Sequence, residues 1–327
     1  MNDARLRILV TGGAGYIGSA VVRRLVAAGH EVAVLDLQLA HPDAVAGAPG
    51  LQGDVRNATD VTAALRRFAP GAVIHVAGIK SVAESMAEPA RYFATNTGGT
   101  LTLLQAMVAA GIRSFIFSSS AAVYGSGATS PIVEDSPAEP MNPYGESKLQ
   151  AERMLPWFEQ AHGIRYMALR YFNVAGASAD GRFGEALANA VNLIPVALRA
   201  TLTGEPMSIL GDDWPTPDGT AIRDYIHVDD LADGHLAAVE ALAAGTASGI
   251  LNLGTGRGAS VREVLTAVER ATGRPVPATV TERRPGDSAA VFADVSRAKE
   301  MLGWQARRGL DEIVADAWRY ASAGARA

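Results

Sequence analysis

The feature that most constrains the fold of this chain is a glycine-rich turn near its N-terminus. Residues 7–10 form a short apolar run typical of a buried strand, and residues 11–18 carry Gly12, Gly15 and Gly18. Apolar residues then recur at the spacing of a helix. A strand, a glycine turn and a helix in this order let the backbone approach a phosphate group at the helix N-terminus.

An acidic residue completes this pattern. A second apolar run, residues 32–35, reads as the next strand and ends on Asp36. A carboxylate at that point would accept hydrogen bonds from the ribose hydroxyls of an adenosine and would repel a 2′-phosphate. The combination predicts a dinucleotide site and favours NAD over NADP. An ordinary glycine turn would account for the glycines, but not for the strand, the helix and the acid together.

Strands and helices alternate through the first half of the chain. Further strands are predicted near residues 51–55, 72–76, 115–117 and 166–169, with helical patterns between them. This alternation predicts an α/β fold with a Rossmann-type, doubly wound parallel sheet. Past residue 176 the pattern becomes irregular. We therefore expect an NAD-binding domain over residues 1–176 and a smaller, irregular α/β substrate-binding domain over residues 177–327, with a segment near residues 219–253 returning to the first.

A tyrosine and a lysine four residues apart are the main candidates for catalysis. Tyr144 and Lys148 would lie one turn apart on the same face of a helix, and Pro143 suits its first turn. An ammonium beside a phenol favours the phenolate, so the pKa of Tyr144 is expected to fall toward neutral and make it a general base. Ser120 follows a predicted strand, where ligands of such sheets bind. The alternative is a surface tyrosine and lysine paired by chance.

The composition excludes several classes of function. The 327-residue chain has a net charge of −5 and no run of lysine and arginine, which argues against a nucleic-acid-binding surface. It has no cysteine, so disulfides, cysteine-based zinc sites and thiol catalysis are excluded. The N-terminal apolar run is too short for a signal peptide, and no apolar stretch of membrane-spanning length lacks a charge or a breaker. We expect a cytoplasmic protein without a membrane partner.

Two histidines invite a functional interpretation that the surrounding residues do not favour. His227 is close to Asp229 and Asp230, which could suggest a metal, but no further ligand cluster is in view and a structural polar corner is predicted. His75 lies in an apolar run, which favours a core histidine over a catalytic one. No metal site is predicted.

Taken together, these motifs resemble those of a known family. The chain is similar to the UDP-glucose/UDP-galactose 4-epimerases of the extended short-chain dehydrogenase/reductase superfamily. The resemblance runs nearly end to end and is carried by residues 11–18, 77–80, 118–125, 142–148, 170–176, 211–235, 252–256 and 283–287. The segment over residues 211–235 is more specific than the glycine turn. The resemblance implies an NAD-dependent isomerase acting on UDP-sugars, and a homodimer.

The resemblance also implies a mechanism. Hydride would pass from C4 of the sugar to a tightly held NAD⁺ and return to the other face of a 4-keto sugar. Tyr144, as the phenolate, would take the proton of the 4-hydroxyl, and Ser120 would hold that hydroxyl. Lys148 would lower the pKa of the tyrosine and bind the nicotinamide ribose. The implied products are UDP-glucose and UDP-galactose.

The binding residues follow from the same resemblance. Positions matched to cofactor contacts are Gly12, Gly15, Tyr16, Ile17, Gly18, Asp36, Leu37, Asp54, Val55, Val76, Ala77, Gly78, Lys80, Asn96, Ser118, Tyr144, Lys148 and Phe172. Positions matched to substrate contacts are Lys80, Ser120, Tyr144, Asn173, Asn192, Leu193, Ser208, Leu210, Arg223, Arg284, Asp287 and Val291. Asp54 could meet the adenine, or it could instead cap a helix starting near Thr59.

Three departures from the family pattern stand out. Leu37 and Gln38 follow Asp36 where many members have an asparagine, and the loop to Asp54 is short. Pro156 interrupts a helix that often contributes to the family's dimer interface, so a kink or an early end is expected there. Val291 stands where some members carry a tyrosine. A smaller side chain would admit an N-acetyl group at C2, so UDP-GlcNAc and UDP-GalNAc are possible further substrates.

Two other functions compete with this interpretation. A nucleotide-sugar 4,6-dehydratase or decarboxylase would share the tyrosine and lysine, but the dehydratases need an acid and a base right after the hydroxyl residue. Residues 121–124 contain no carboxylate. A non-catalytic NAD-binding regulator is the alternative of another class, and the fold alone does not decide against it.

Overall fold

The computed structural model describes residues 5–188, 190–284 and 286–324. Its strands are β1 (Arg7–Thr11), β2 (Glu31–Asp36), β3 (Gly50–Gln52), β4 (Ala72–His75), β5 (Ser114–Ser120), β6 (Arg165–Tyr171), β7 (Asn173–Ala175), β8 (Met207–Leu210), β9 (Ile222–His227), β10 (Gly249–Leu253), β11 (Gly258–Ser260), β12 (Ala278–Thr281) and β13 (Ala290–Val291). Its α-helices are α1 (Tyr16–Ala27), α2 (Ala58–Phe68), α3 (Val82–Ala87), α4 (Pro89–Tyr92), α5 (Gly99–Ala110), α6 (Pro143–His162), α7 (Leu193–Thr203), α8 (Val228–Ala243), α9 (Val261–Thr272), α10 (Ser296–Leu302) and α11 (Leu310–Gly324).

Seven parallel strands form the main sheet, in the order β10-β6-β5-β4-β1-β2-β3. The chain builds outward from β1 through β2 and β3, then crosses to β4 on the other side. This order confirms the predicted doubly wound parallel sheet. The reversal opens a crevice at the carboxyl ends of β1 and β4, where ligands of such sheets bind. Thr11 and His75 are register partners at this edge.

The sheet is buried on both faces, which explains the continuous apolar runs of its strands. In β1, Ile8 and Val10 face one core together with Leu231 of α8, while Leu9 between them faces the other core with Leu65 of α2. This alternation follows from the two-residue period of a strand. The two cores fix the sheet between two layers of helices, so the strand ends that carry the candidate site have a rigid support.

The later part of the chain forms smaller sheets beside this crevice. Strands β11, β9, β13 and β7 form one, and β8 pairs with β12. Helices α7, α9 and α11 share a third core with them, which includes Leu198, Val264 and Ile313. The late strand β10 pairs with β6 at the edge of the main sheet. The domain boundary near residue 176 stays a prediction. In the ranges that the structure describes, no helix is long and apolar enough to cross a membrane.

Helix α6 runs through Pro156 to His162, so the expectation of an early end at this proline is wrong, whereas a kink there stays a prediction. Leu149 and Leu155 of this helix are buried, and their packing holds it against the rest of the molecule. A π-helical turn at Phe93–Gly98, which contains the predicted cofactor residue Asn96, joins α4 to α5. A π-helical turn of this kind often marks a functional site.

Candidate active site

The glycine turn is packed too tightly for larger residues. Gly12 has a φ of +72°, and a Cβ added there would lie 2.5 Å from the backbone nitrogen of Ala77. A Cβ on Gly18 would lie 2.0 Å from the carbonyl oxygen of Gly12. The N-cap of α1 is Gly15, which has no side chain to occupy the first backbone N–H groups. The helix N-terminus is therefore open to an anionic ligand at the crevice.

Asp36 lies beside this turn, at the end of β2. Its carboxylate accepts a hydrogen bond from the backbone nitrogen of Ala14 at 3.0 Å and another from Gln38 at 3.3 Å. The following Leu37 is 59% exposed, so this stretch leaves the carboxylate accessible at the rim. The structure brings the acid and the glycine turn together as the sequence predicts.

The neighbouring Asp54 does not cap α2. Asn57 is the N-cap, with its side-chain oxygen accepting from the backbone nitrogen of Thr59 at 2.9 Å. Asp54 binds the guanidinium of Arg56 instead, and this hydrogen bond lowers the pKa of its carboxyl. The capping alternative is therefore wrong, whereas a contact of Asp54 with an adenine stays a prediction. Val55 is buried beside Gly99.

The loop after β4 connects the glycine turn with α6. The backbone nitrogens of Val76 and Ala77 both donate to the carbonyl of Thr11 at 3.0 Å. Asn96 accepts from the backbone nitrogen of Ile79 at 3.0 Å and donates to the hydroxyl of Ser147 at 3.0 Å.

A larger residue at position 78 of this loop would displace two predicted cofactor side chains. A Cβ on Gly78 would lie 2.9 Å from Oδ1 of Asn96 and 3.2 Å from Nζ of Lys148. Three of the predicted cofactor positions thus meet at one point of the crevice.

Tyr144 is placed by the N-terminus of α6. Asn142 caps this helix, accepting from the backbone nitrogen of Gly145 at 2.9 Å. A Cβ on Gly145 would lie 2.5 Å from the carbonyl of Ala122, so the first turn of α6 packs directly on the turn that follows Ser120. The sequence-predicted pair of Tyr144 and Ser120 is therefore brought together at the end of β5.

The pKa of Tyr144 moves in the direction opposite to the prediction. Burial raises it, while a hydrogen bond with Ser120 works against that rise. Lys148 does not lower it as expected because its ammonium donates to the carbonyl of Ser118 at 3.0 Å instead of to the phenol. Burial also lowers the pKa of Lys148 to about 8, which a nearby carboxylate, Glu152, partly opposes.

Glu152 continues the face of α6 that carries Tyr144 and Lys148. Its carboxylate binds the guanidinium of Arg170 at 2.6 Å and accepts from the hydroxyl of Ser119, and both charged side chains are almost fully buried. The sequence analysis missed Glu152, although its spacing of four residues from Lys148 was a usable signal. The result is a ladder of Tyr144, Lys148 and Glu152 against the end of β5.

The other side of the crevice carries the polar residues predicted to hold a substrate. Lys80 lies 3.0 Å from the carboxylate of Glu185, which also accepts from the side-chain nitrogen of Asn192 at 3.2 Å. Asn192 is the N-cap of α7, and Leu193 is its first residue. Glu185 was also missed, since nothing local in the sequence points to it. Lys80 and Asn192 are thus joined through one carboxylate.

Two arginines and an aspartate, all predicted to contact the substrate, form the end of the crevice away from Tyr144. Arg223 of β9 donates to the carbonyls of Ile222 and Ser288 at 2.8 and 2.9 Å, and burial lowers its pKa. Arg284 lies 3.6 Å from Asp287. Val291 of β13 is the register partner of Arg223, so it lies beside this arginine on the neighbouring strand.

The remaining predicted positions are less closely tied to this end. Asn173 begins β7, which pairs with β9, and Phe172 is buried against Val123 and Leu149. Ser208 and Leu210 lie on β8, which pairs with β12, and their part in the site stays a prediction.

The comparisons with known proteins agree with this geometry. The family described as "NAD dependent epimerase/dehydratase family" matches residues 8–254. The chain belongs to this family. A UDP-glucose 4-epimerase of Azospirillum brasilense is 48% identical over 95% of this chain and 90% of the relative.

Solved structures of the same kind superpose over nearly the whole chain. UDP-glucose 4-epimerase from Stenotrophomonas maltophila, with bound NAD and formylated UDP-arabinopyranose, has a TM-score of 0.94 and 39% identity, covering 98% of this chain and 99% of that one. The UDP-Glc/GlcNAc 4-epimerase of Campylobacter jejuni has a TM-score of 0.86 and 36% identity, covering 97% and 99%.

NAD is the cofactor of the NAD dependent epimerase/dehydratase family, and the residues of this member fit it. The open N-terminus of α1 suits a pyrophosphate, and the carboxylate of Asp36 suits a ribose with free hydroxyls. At the other end, the absence of a side chain at Gly78 leaves room beside the ammonium of Lys148.

The two histidines have structural partners in this family member. His75 is buried between the hydroxyls of Thr11 at 2.6 Å and Thr100 at 3.1 Å, and burial lowers its pKa to about 3. The core interpretation of His75 is confirmed. His227 accepts from the backbone nitrogen of Asp229 at 3.0 Å and lies 3.3 Å from the carboxylate of Asp316. These contacts fix the start of α8.

Proposed function

We propose that this protein is a UDP-sugar 4-epimerase that interconverts UDP-glucose and UDP-galactose. The observation that carries the proposal is the buried ladder of Tyr144, Lys148 and Glu152 beside Ser120, at the cofactor crevice of the sheet. A phenol and a hydroxyl at one point suit removal of a proton from a sugar hydroxyl. The names of the curated relatives support the choice of sugar nucleotide.

In this function NAD supplies the acceptor for hydride from C4 of the sugar and returns the hydride afterwards. Ser120 holds the 4-hydroxyl by hydrogen bond, and Tyr144 takes its proton when the C4 carbonyl forms. Tyr144 gives the proton back when the carbonyl is reduced. The hydrogen bond with Ser120 favours the phenolate of Tyr144 against the effect of burial. Lys148, one turn away, is held on the carbonyl of Ser118 and would bind the nicotinamide ribose. Because the 4-keto sugar presents either face to the same groups, the configuration at C4 is inverted.

The anchoring of the nucleotide makes this reorientation feasible. Arg223 and Arg284 are planar donors suited to a pyrophosphate, and Asp287 suits the hydroxyls of the uridine ribose. These residues would hold the nucleotide while the sugar turns about its pyrophosphate link. A 4,6-dehydratase would need an acid and a base in the turn Ala121–Tyr124. This turn contains no carboxylate, and its Val123 and Tyr124 are buried.

The decisive experiment uses purified protein with no added NAD. UDP-galactose and UDP-N-acetylgalactosamine are supplied in parallel, and inversion at C4 is followed by NMR. Inversion of UDP-galactose supports the proposal and a self-held cofactor. A 6-deoxy-4-keto product would replace it with the dehydratase. Bound nicotinamide without turnover of either sugar, even with NAD supplied, would point to a non-catalytic regulator.

We also propose that the N-acetylated sugars are substrates. Val291 is smaller than a tyrosine and stands beside Arg223 on the neighbouring strand, and one structural neighbour acts on both Glc and GlcNAc forms. Val291→Tyr is expected to abolish turnover of UDP-N-acetylgalactosamine and to spare that of UDP-galactose. Val291→Ala is the matched control, which should keep both activities. Equal loss of both activities, or of neither, in Val291→Tyr would refute this part.

A homodimer in the cytoplasm completes the proposal. Trp157 on α6 is 68% exposed and Leu101 on α5 is 37% exposed, and both helices are candidates for an interface. Contiguous exposed apolar patches often mark interaction sites, and we propose that these two helices contribute to one. Light scattering should give twice the mass of one chain, and Trp157→Arg should give monomers. A monomeric wild-type protein at micromolar concentration would exclude the dimer.

A further inference from the structure

His235 is a buried residue to which none of the roles above applies. It lies on α8, with no exposed surface, and its Nδ1 is 2.9 Å from the carbonyl oxygen of Leu231. A carbonyl only accepts hydrogen bonds, so Nδ1 carries the hydrogen. Burial lowers the pKa of His235 to about 4, so the ring is neutral at physiological pH. Its Nε2 is therefore a hydrogen-bond acceptor.

The acceptor nitrogen meets a residue that also contacts Lys148. Nε2 of His235 lies 2.9 Å from the hydroxyl of Ser118, so this hydroxyl donates to the imidazole. The main-chain carbonyl of the same Ser118 accepts from the ammonium of Lys148 at 3.0 Å. Ser118 is completely buried at the end of β5. A chain of three hydrogen bonds with fixed directions thus runs from α8 through β5 to α6.

We propose that His235 is a positioning residue for Lys148. By accepting the hydroxyl of Ser118, it fixes that residue so that its carbonyl holds the ammonium of Lys148 one turn from Tyr144. Its consequence for turnover rests on the proposed function, because only there does Lys148 serve Tyr144. The link itself is a property of the folded protein and can be measured without substrate or cofactor.

Other groups also act on the ammonium of Lys148. Glu152 on the same helix favours its charge, and the ring of Phe117 lies 5.1 Å from Nζ. The buried His75, register partner of Phe117 on the adjacent strand β4, is neutral, and the charge of Lys148 helps to lower its pKa. Tyr144 precedes it by one turn of α6. The contacts of Glu152 and Phe117 described here do not run through His235. The ring of Tyr171 also packs on His235, with 6.3 Å between the ring centroids, and its hydroxyl shares a hydrogen bond with Ser118. The hydrogen-bonded path from His235 to Lys148 runs through Ser118.

The composition of the chain allows a direct test. It contains three lysines, Lys80, Lys148 and Lys299, and the first and last are exposed. Labelling lysine with ¹³C at Cε should give three NMR signals, of which that of Lys148 titrates near pH 8 and the other two are internal references. His235→Phe keeps a ring and removes both nitrogens. We expect the pKa of Lys148 to fall by up to about one unit, because the residue whose carbonyl accepts from the ammonium is then no longer held by the imidazole.

Two further variants separate the hydrogen bond from the packing of the ring. His235→Gln keeps an acceptor near the position of Nε2, so the pKa of Lys148 should fall less in this variant than in His235→Phe. His227→Asn is the matched control, because it changes another buried histidine and keeps a good N-cap for α8. It should leave the titration of Lys148 in place. Where His235→Phe fails to fold, Ser118→Ala removes the same link and should produce the same shift.

The proposal is overturned if Lys148 titrates as in the wild type in a folded His235→Phe or Ser118→Ala protein. An equal shift in His235→Phe and His235→Gln would also overturn it, because volume would then be the cause. In kinetics, the alkaline limb of kcat should move to lower pH by the same amount as the titration. Failure of the wild type to invert any UDP-sugar would refute the proposed function and leave the titration result unaffected.

Discussion

The two ends of the crevice are built in different ways. At the catalytic end, Tyr144, Lys148 and Glu152 are at most 9% exposed and their partners are fixed. At the nucleotide end, the side chain of Arg284 is 62% exposed and that of Asp287 is 29% exposed, and they are paired with each other at 3.6 Å. The first set is arranged before any ligand binds, whereas the second has to exchange its pairing for contacts with the nucleotide.

This difference matches the demands that the proposed reaction makes on each end. A proton transfer needs groups within hydrogen-bond distance in a site without water, so the catalytic end is buried and fully partnered. A pyrophosphate that must stay bound while the sugar turns needs strong but adjustable contacts, which the exposed Arg284 and its partner Asp287 can supply. The comparison predicts that changes at the catalytic end cost rate or stability, while changes at the nucleotide end cost affinity.

The largest effect is expected for Tyr144→Phe. Loss of the phenolic hydroxyl removes the general base, and kcat for C4 inversion should fall by about a hundredfold to ten-thousandfold. The content of bound nicotinamide should not change, because the ring remains packed against Tyr92. Tyr92→Phe is the control, since its hydroxyl binds Glu84 and should have little influence on kcat. Near-normal turnover in Tyr144→Phe would assign the proton transfer to another group.

The next effect concerns stability. Glu152→Gln leaves the guanidinium of Arg170 buried without a counter-charge, which should lower the free energy of unfolding by about 3–5 kcal/mol. Urea denaturation measures this loss. The control is Arg284→Gln, which breaks an exposed pair and should lower stability by less than about 1 kcal/mol. Similar losses in the two variants would mean that the ends do not differ as described.

Glu152 also shows how far the sequence could be interpreted. The sheet, the glycine turn with Asp36, and Tyr144 with Lys148 were predictable because each depends on local spacing or on strand–helix alternation. Glu152 shares that spacing and could have been included. His235 could not, because its partner Ser118 is 117 residues away along the chain. Long-range pairs of this kind follow from the packing of α8 on the sheet.

The errors at Pro156 and in the pKa of Tyr144 have the same origin. Local rules predict that a proline ends a helix, but burial of Leu155 beside it favours a continuous α6. Local spacing likewise predicts that Lys148 faces Tyr144, but the carbonyl of Ser118 takes the ammonium. In both places a tertiary contact outweighs the local preference.

The third effect is the stability cost of the buried ammonium. Because the pKa of Lys148 falls from 10.5 to about 8 on folding, the unfolded chain binds more protons between these values and stability rises with pH there. Lys148→Met removes the cost of burying the ammonium. The free energy of unfolding of the variant should therefore exceed that of the wild type most below pH 8, and the difference should decline as the pH rises toward 10.5. The shift corresponds to about 3 kcal/mol at most. A gain that does not change with pH would show that charge is not its cause.

The smallest effect is expected at the nucleotide end. Arg284→Gln removes one charge-assisted contact to the substrate, so KM for UDP-galactose should rise by about tenfold while kcat stays close to normal. Added salt should raise KM of the wild type in the same direction, since half-exposed charges are screened. Lys299→Gln, an exposed change away from the crevice, is the control for general charge. If Arg284→Gln instead lowers kcat and leaves KM unchanged, the arginine contributes to the transition state, and the nucleotide end belongs functionally with the catalytic end.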